Sequence, residues 1–329
     1  SFIGLVGSEM CIRDSVNDDL VDGAQTFTIE TGTSSSGDPN FSGINPADIS
    51  VTNEDNDTAN LTITAVTADE GTGGGTTDFV FEVTLSAEII SSFSVEFATA
   101  DDTAISGNSD YTAANGTLNF DGMAGEIETI TVTVNHDAIV EADEVFAVAL
   151  ANLGGIPASL AQQIVLPASP GTGTITNDDT ASLTITGPAP TMEGTSATDT
   201  LLTFSVQLSA AVQDGLSVAY TTNDGTATLV DDDYADNDGT LVFVGSAGET
   251  QTINVNVRAD DRVEPDETLS VSLGAISGVT ATAADDISVP TSAVEATITN
   301  DDFPKLLFSD VTVTPVEGTG GTTTEYRFD

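Results

Sequence analysis

The stretch Thr174-Ile175-Thr176-Asn177-Asp178-Asp179 returns almost unchanged as Thr297-Ile298-Thr299-Asn300-Asp301-Asp302. A looser copy precedes both as Val51-Thr52-Asn53-Glu54-Asp55, and the three asparagines stand 124 and 123 residues apart. Each copy is a short β-favouring run followed by a burst of carboxylates. Register holds between these markers as well, since Glu193, Tyr234 and Asp260 fall 123 residues after Glu70, Tyr111 and Asp137. A period of this length is one whole domain, large enough to bury its own core. The chain therefore reads as an array. Residues 1–15 stand apart in composition, 16–57 match the last third of a repeat, 58–179 and 180–302 are complete repeats, and 303–329 open a further one.

Within a repeat the apolar residues alternate. Phe79, Phe81, Val83 and Leu85 share one parity, as do Ile130, Val132 and Val134. Phe204, Val206 and Leu208, then Ile253, Val255 and Val257, repeat the pattern in the next copy. Period two in Val, Ile, Phe and Thr means half-buried strands, and Gly/Asp clusters such as Glu70-Gly71-Thr72-Gly73-Gly74-Gly75 mark the turns between them. No segment carries a 3.6-residue period. The expectation is an all-β fold: tandem immunoglobulin-like antiparallel β-sandwiches of about seven strands each. No Gly/Ser linker separates the copies at Asp57-Thr58 or Asp179-Thr180, so neighbouring domains should be closely coupled.

Charge narrows the function classes. The 53 acidic and 5 basic side chains leave a formal net charge of −48. Nucleic acid and anionic membrane require Lys/Arg surfaces, so neither is an expected partner. No apolar run approaches a membrane span, so direct insertion is not expected of this stretch. A single cysteine, Cys11, provides no disulfide framework. It lies in residues 1–15, whose run Leu5-Val6-Gly7-Ser8-Glu9-Met10-Cys11 resembles a translated sequencing-adapter artefact and is set aside. The start lacks the basic flank and cleavage site of a signal peptide. Beginning and ending mid-repeat, the chain reads as a piece of something longer.

Four acidic elements recur in fixed order: Glu-Gly (Glu70-Gly71, Glu193-Gly194, Glu317-Gly318), the Asp101 and Asp224 turns, the Asp137–Glu144 and Asp260–Glu267 segments, and the closing Asn-Asp-Asp. With the Asp-Tyr and Gly-Thr-Leu-x-Phe elements between them, this set resembles the Calx-beta domain of sodium–calcium exchangers and large bacterial surface proteins. The resemblance implies a β-sandwich whose loops at one end bind calcium. Position by position, it implies ligands Glu70, Asp101, Asp137, Glu141, Glu144, Asp178 and Asp179 in the first complete repeat. In the second they are Glu193, Asp224, Asp260, Asp261, Glu264, Glu267, Asp301 and Asp302. Calcium takes six to eight oxygens, which no single loop here supplies but several converging loops would. The chain departs from the exchanger pattern at His136, Ala138, Ala259, Asn177 and Asn300, each standing where an exchanger has an acid. Fewer charges imply one or two ions per repeat, at affinities suited to an extracellular setting.

Three readings of function follow. The leading one is a non-catalytic, calcium-stiffened structural or adhesive segment of a secreted or cell-surface protein, whose surface or matrix ligands bind elsewhere on the parent. The second is a calcium-sensing regulatory module of a transporter. The third is an acidic spacer without specific calcium binding. His136 is the only histidine, and no Ser/His or Cys/His constellation exists for an enzyme. Tyr111 and Tyr234 are expected as structural tyrosines at a sandwich corner.

Overall fold

The computed structural model describes residues 18–195 and 198–304. The set-aside residues 1–15 and all but the start of 303–329 lie outside these. A hairpin-like pair comes first, β1 (Gln25–Ile29) antiparallel to β2 (Ile49–Asn53). The first sandwich contains β3 (Ala59–Ile63), β4 (Val66–Asp69), β5 (Thr76–Leu85), β6 (Phe93–Asp101), β7 (Asn115–Phe120), β8 (Ile127–Asn135), β9 (Ile139–Val140), β10 (Glu144–Gly154), β11 (Ile164–Val165) and β12 (Gly171–Thr176). The second contains β13 (Ala181–Thr186), β14 (Thr191–Met192), β15 (Thr200–Leu208), β16 (Ala211–Val212), β17 (Leu216–Asp224), β18 (Gly239–Phe243), β19 (Thr250–Val257), β20 (Glu267–Ser277), β21 (Ile287–Ser288) and β22 (Val294–Thr299).

Each sandwich packs a five-stranded sheet on a four-stranded one. The orders are β4-β12-β10-β6-β7 with β11-β3-β5-β8, then β14-β22-β20-β17-β18 with β19-β15-β13-β21. The long central pairs are antiparallel, as the alternation requires. The edges differ from expectation: β4 on β12 and β11 on β3 are parallel, and so are their counterparts β14 on β22 and β21 on β13. Two short helices, α1 (Ala158–Ala161) and α2 (Ala281–Asp285), also escape the sequence reading, because one turn is too short to show a helical period.

The inward parity forms the core. Phe79, Phe81, Val83 and Leu85 on β5 are fully buried, and so are Phe204, Val206 and Leu208 on β15. In the first sandwich Phe146 is the hub, its ring stacked on Tyr111 at 4.5 Å and set against Phe79 and Phe81 at 5.9 Å. Gly173 on β12 faces that ring, and a Cβ there would meet it at 2.3 Å. Burying each such ring stabilises the sandwich by about 1.5–3 kcal/mol.

Consecutive units interlock. Val140 lies on the chain of the first sandwich, yet its side chain is fully buried in the core of the second. There β9 adds in parallel to β16, pairing Ile139 with Ala211 and Val140 with Val212. Val21 repeats this in front of the first sandwich, where it bridges to Ile89 and is fully buried in that core. Side chains reinforce both contacts. Gln163 donates to the carbonyls of Asp55 and Asp57, and Asn177 donates to Asp286 Oδ2 at 2.9 Å. Among the described residues no helix is long and apolar enough to cross a membrane.

Candidate metal centre

The carboxylates lie in the loops at the end of each sandwich where β4, β8, β9 and β12 (or β14, β19 and β22) finish. Glu70 follows β4 in a turn that only glycine closes comfortably. Gly71 has φ +102°, and a Cβ on it would meet the His136 ring at 2.6 Å. That turn brings the Gly71 N–H within 3.2 Å of Asp178 Oδ1, so the first acidic loop grips the last. Gly194 and Asp301 repeat the contact at 3.2 Å. Asp137 and Asp260 cap their own turns, accepting from the N–H of Ile139 at 2.8 Å and of Arg262 at 2.6 Å.

Asn177 explains one departure from an all-acid motif. Its Oδ1 accepts from the Glu141 N–H at 3.1 Å while its Nδ2 donates to the Asp179 carbonyl at 3.0 Å. Asn300 makes the same pair with Glu264 and Asp302, at 3.2 Å each. Only an amide both accepts and donates in this way, so an aspartate would leave one partner unmatched. His136, another departure, packs under the Glu-Gly turn. Thr77 donates its hydroxyl hydrogen to the Glu70 carbonyl, which leaves His136 Nε2 to donate to Thr77 Oγ1 at 2.9 Å.

In the first sandwich three carboxylate trios have oxygens within 4.8 Å of one another: Glu70–Asp137–Glu141, Glu70–Asp178–Asp179 and Asp110–Glu141–Glu144. The first two share Glu70 and form an inner group. Glu141 links it to the outer trio. The second sandwich has the inner trio Glu193–Asp260–Asp302 and the outer trio Asp233–Glu264–Glu267.

The structure thus brings together Glu70, Asp137, Glu141, Glu144, Asp178 and Asp179, and Glu193, Asp260, Glu264, Glu267 and Asp302. Asp101 and Asp224 lie outside the trios and bond to the tyrosine corner instead. Asp101 Oδ1 accepts from the Tyr111 hydroxyl at 2.6 Å and the Ser106 N–H at 3.0 Å, and Asp224 accepts from Tyr234 at 2.7 Å and Leu229 at 3.1 Å. The Ser106 N–H and the Tyr111 hydroxyl hold the Asp101 carboxyl below its ordinary range. Burial and Asp101 push the Tyr111 hydroxyl up to about 12. The two tyrosines are thus structural. Asp261 and Asp301 lie outside the trios. The outer trios include Asp110 and Asp233, from the Asp-Tyr dipeptides, of which the sequence reading gave a role only to the tyrosines. The signal was present, since both copies keep that aspartate at the same register.

Electrostatics makes these sites costly when bare. Glu70 is 3 % exposed, and neither its Oε1 nor Asp179 Oδ2 has a hydrogen-bond partner. Glu193 Oε1 is in the same condition at 7 % exposure. Burial, then repulsion from Asp137, Glu141, Asp179 and Asp178, pushes the Glu70 carboxyl up to about 8. Burial with Asp137, Asp110 and Asp179 raises Glu141 to about 7, and burial with Asp110 raises Glu144 to about 8. Glu193 and Glu267 rise to about 7 through burial, then the charges of Asp260 and Asp233 respectively. No lysine or arginine occurs between Arg13 and Arg258 to offset this. Orphaned, buried, oxygen-only donors suit a hard divalent cation such as calcium, with every donor a carboxylate oxygen.

The Calx-beta domain model matches residues 53–180 and again 178–302. The chain belongs to the Calx-beta family. Among solved structures, the apo-form Calx CBD1 domain is 25% identical over 37% of this chain and 100% of its own, with a TM-score of 0.31. CBD12 from CALX1.2 is 19% identical over 73% of this chain and 99% of its own, at 0.33. The calcium binding domain CBD12 of CALX1.1 is 20% identical with the same coverage and score. Comparison with curated proteins returns no match. The two Calx-beta matches coincide with the two sandwiches, and each carries its own cluster of acidic loops.

Proposed function

We propose that this chain is a calcium-binding structural or adhesive repeat segment of a large secreted or cell-surface protein. Calcium stiffens the loops at the end of each sandwich and, through them, the junction with the next. The observation that carries this reading is the pair of Glu70 and Asp179 oxygens, buried among other carboxylates with no hydrogen-bond partner. A cation supplies the counter-charge that the protein itself lacks there. Glu141 connects the cluster to the junction, because its Oε1 accepts from Gln213 of the second sandwich at 3.1 Å. An extracellular setting suits such a site, since calcium there is abundant and departures at His136, Asn177 and Asn300 lower the charge available to bind it. The role is non-catalytic: the single histidine is spent on Thr77.

Calorimetric titration of the chain with calcium tests the proposal. Saturable sites are expected, together with a thermal midpoint that rises by more than sodium chloride at matched ionic strength produces. At free calcium a hundred times the dissociation constant, the gain is about 2.7 kcal/mol. Magnesium should give less, because it demands a tighter octahedral shell. Heats no larger than dilution, or a midpoint shift that the salt control reproduces, would reduce the clusters to a solvated acidic surface.

A further inference from the structure

The two clusters of one chain are not equivalent, and one difference is a guanidinium set directly on a carboxylate of the second. In the first sandwich Glu141 belongs to the inner and the outer trio at once. Its counterpart Glu264 belongs only to the outer trio. The difference coincides with the donor on each carboxylate. Glu141 Oε1 accepts from a neutral amide, Gln213 Nε2, at 3.1 Å. Glu264 Oε1 is held by the Arg262 guanidinium at 2.8 Å, with the glutamate side chain only 13% exposed. The position of Arg262 corresponds to Ile139, which in the first sandwich is engaged in β9.

We propose that Arg262 is a built-in counter-cation of the second sandwich, competing with a divalent ion for Glu264. The inference rests on the calcium reading above. A guanidinium stays protonated at any ordinary pH, so it must be displaced rather than titrated away. The outer trio of the first sandwich, Asp110–Glu141–Glu144, offers three carboxylates with no cationic side chain in the sequence nearby. The outer trio of the second, Asp233–Glu264–Glu267, offers the same three with one already paired. An incoming ion there must break a charge-assisted contact and sit beside a residual positive charge. The two sandwiches therefore load in sequence as calcium rises, the first ahead of the second. The buried Glu193 Oε1, which has no partner, leaves the inner site of the second sandwich still in need of a cation. Arg262 thus grades the affinity of that sandwich without abolishing it.

The test is calcium titration of the full chain by calorimetry, comparing the parent with Arg262→Gln and Arg262→Lys. Glu193→Gln and Glu267→Gln identify which binding events belong to the second sandwich. Arg262→Gln should tighten those events by roughly tenfold, removing both the contact and the repulsion. Arg262→Lys keeps the charge and should stay close to the parent. In chelator Arg262→Lys should unfold at the parent's midpoint and Arg262→Gln slightly below it, because Glu264, only 13% exposed, then loses its counter-charge. Second-sandwich binding that is unchanged or weaker in Arg262→Gln overturns the inference while leaving calcium binding itself intact. Equal tightening by Arg262→Lys also overturns it, because charge would then not be the cause. A parent chain without saturable sites removes the calcium reading, and this inference with it.

Discussion

Glu70 shows how a single side chain can be destabilising for the folded state and still belong to it. Its carboxyl is buried beside four others and has an ordinary value near 4.5 but titrates at about 8 in the fold. Between those values the folded state holds a proton that the unfolded chain has released. Stability is then fully present below about pH 4.5 and falls as pH rises toward 8, since the unfolded state binds fewer protons. Glu144, at about 8, acts over the same window, and Glu141, Glu193 and Glu267, at about 7, act in the same direction between about pH 4.5 and 7. In chelator, the thermal midpoint should therefore decline from pH 5 to pH 8, and calcium should restore most of the loss at the upper end. A midpoint that climbs over this range in chelator would contradict the burial argument. Substituting Glu70→Gln tests the same point at fixed pH. At pH 8 in chelator it should stabilise the first sandwich by about 1–3 kcal/mol through loss of a buried charge, while deleting that sandwich's gain from calcium. A variant less stable than the parent in chelator, yet still responsive to calcium there, would show that Glu70 is not part of the site.

At the scale of elements, much of the fold was legible in the chain, for a physical reason. Strands buried on one face must alternate, so β5, β8, β15 and β19 are written in parity. What was not legible has equally physical causes. The parallel edge strands β4 and β14 have too few residues for an alternation to stand out in the sequence, and the one-turn helices are too short to show a period. The site was legible wherever carboxylates recur, but recurrence does not say which way a loop points. Asp101 and Asp110 both recur, and only the fold reveals that Tyr111 takes the first while the second turns toward Glu144. The junction was legible only as the lack of a linker. Its working part is two residues, β9, whose Val140 fills the neighbouring core. Val140→Ala should cost the second sandwich about 1–3 kcal/mol, a lost transfer term plus a cavity. Val263 stands at the equivalent position of the second sandwich but is 51% exposed, and Val263→Ala should change little. Differential scanning calorimetry of the two variants separates the cases. Equal effects would mean that the seat of Val140 contributes nothing specific.

For the molecule as a whole, the question is what the repetition of these junctions does to shape. A single compact body of this length would have a radius of gyration of about 20 Å. Two sandwiches that meet through β9 and β16, with Asn177 reaching Asp286, have their contact at the ends of their strands rather than on their faces. A contact of that kind makes a longer particle. The hairpin pair β1 and β2 adds to one end, with Phe27 and Ile49 about half exposed. The formal charge of −48 acts on this arrangement from a distance, and the carboxylate clusters act on it locally. Both favour extension, but they respond to different ions. Diffuse repulsion is screened by any salt, with a Debye length of about 8 Å at physiological ionic strength. Glu141 instead sits between a carboxylate cluster and Gln213, so a cation held there ties the end of one sandwich to the facing end of the next. Small-angle scattering should thus give a radius of gyration well above about 20 Å in every condition. Calcium should narrow the spread of particle lengths without shortening their mean. Sodium chloride at equal ionic strength should leave the spread wide, because screening loosens repulsion and ties nothing. Gln213→Ala should lose part of the calcium effect while keeping the Val140 contact, and with it the basal length. A parent chain that compacts equally in both salts would show that its shape answers to net charge alone.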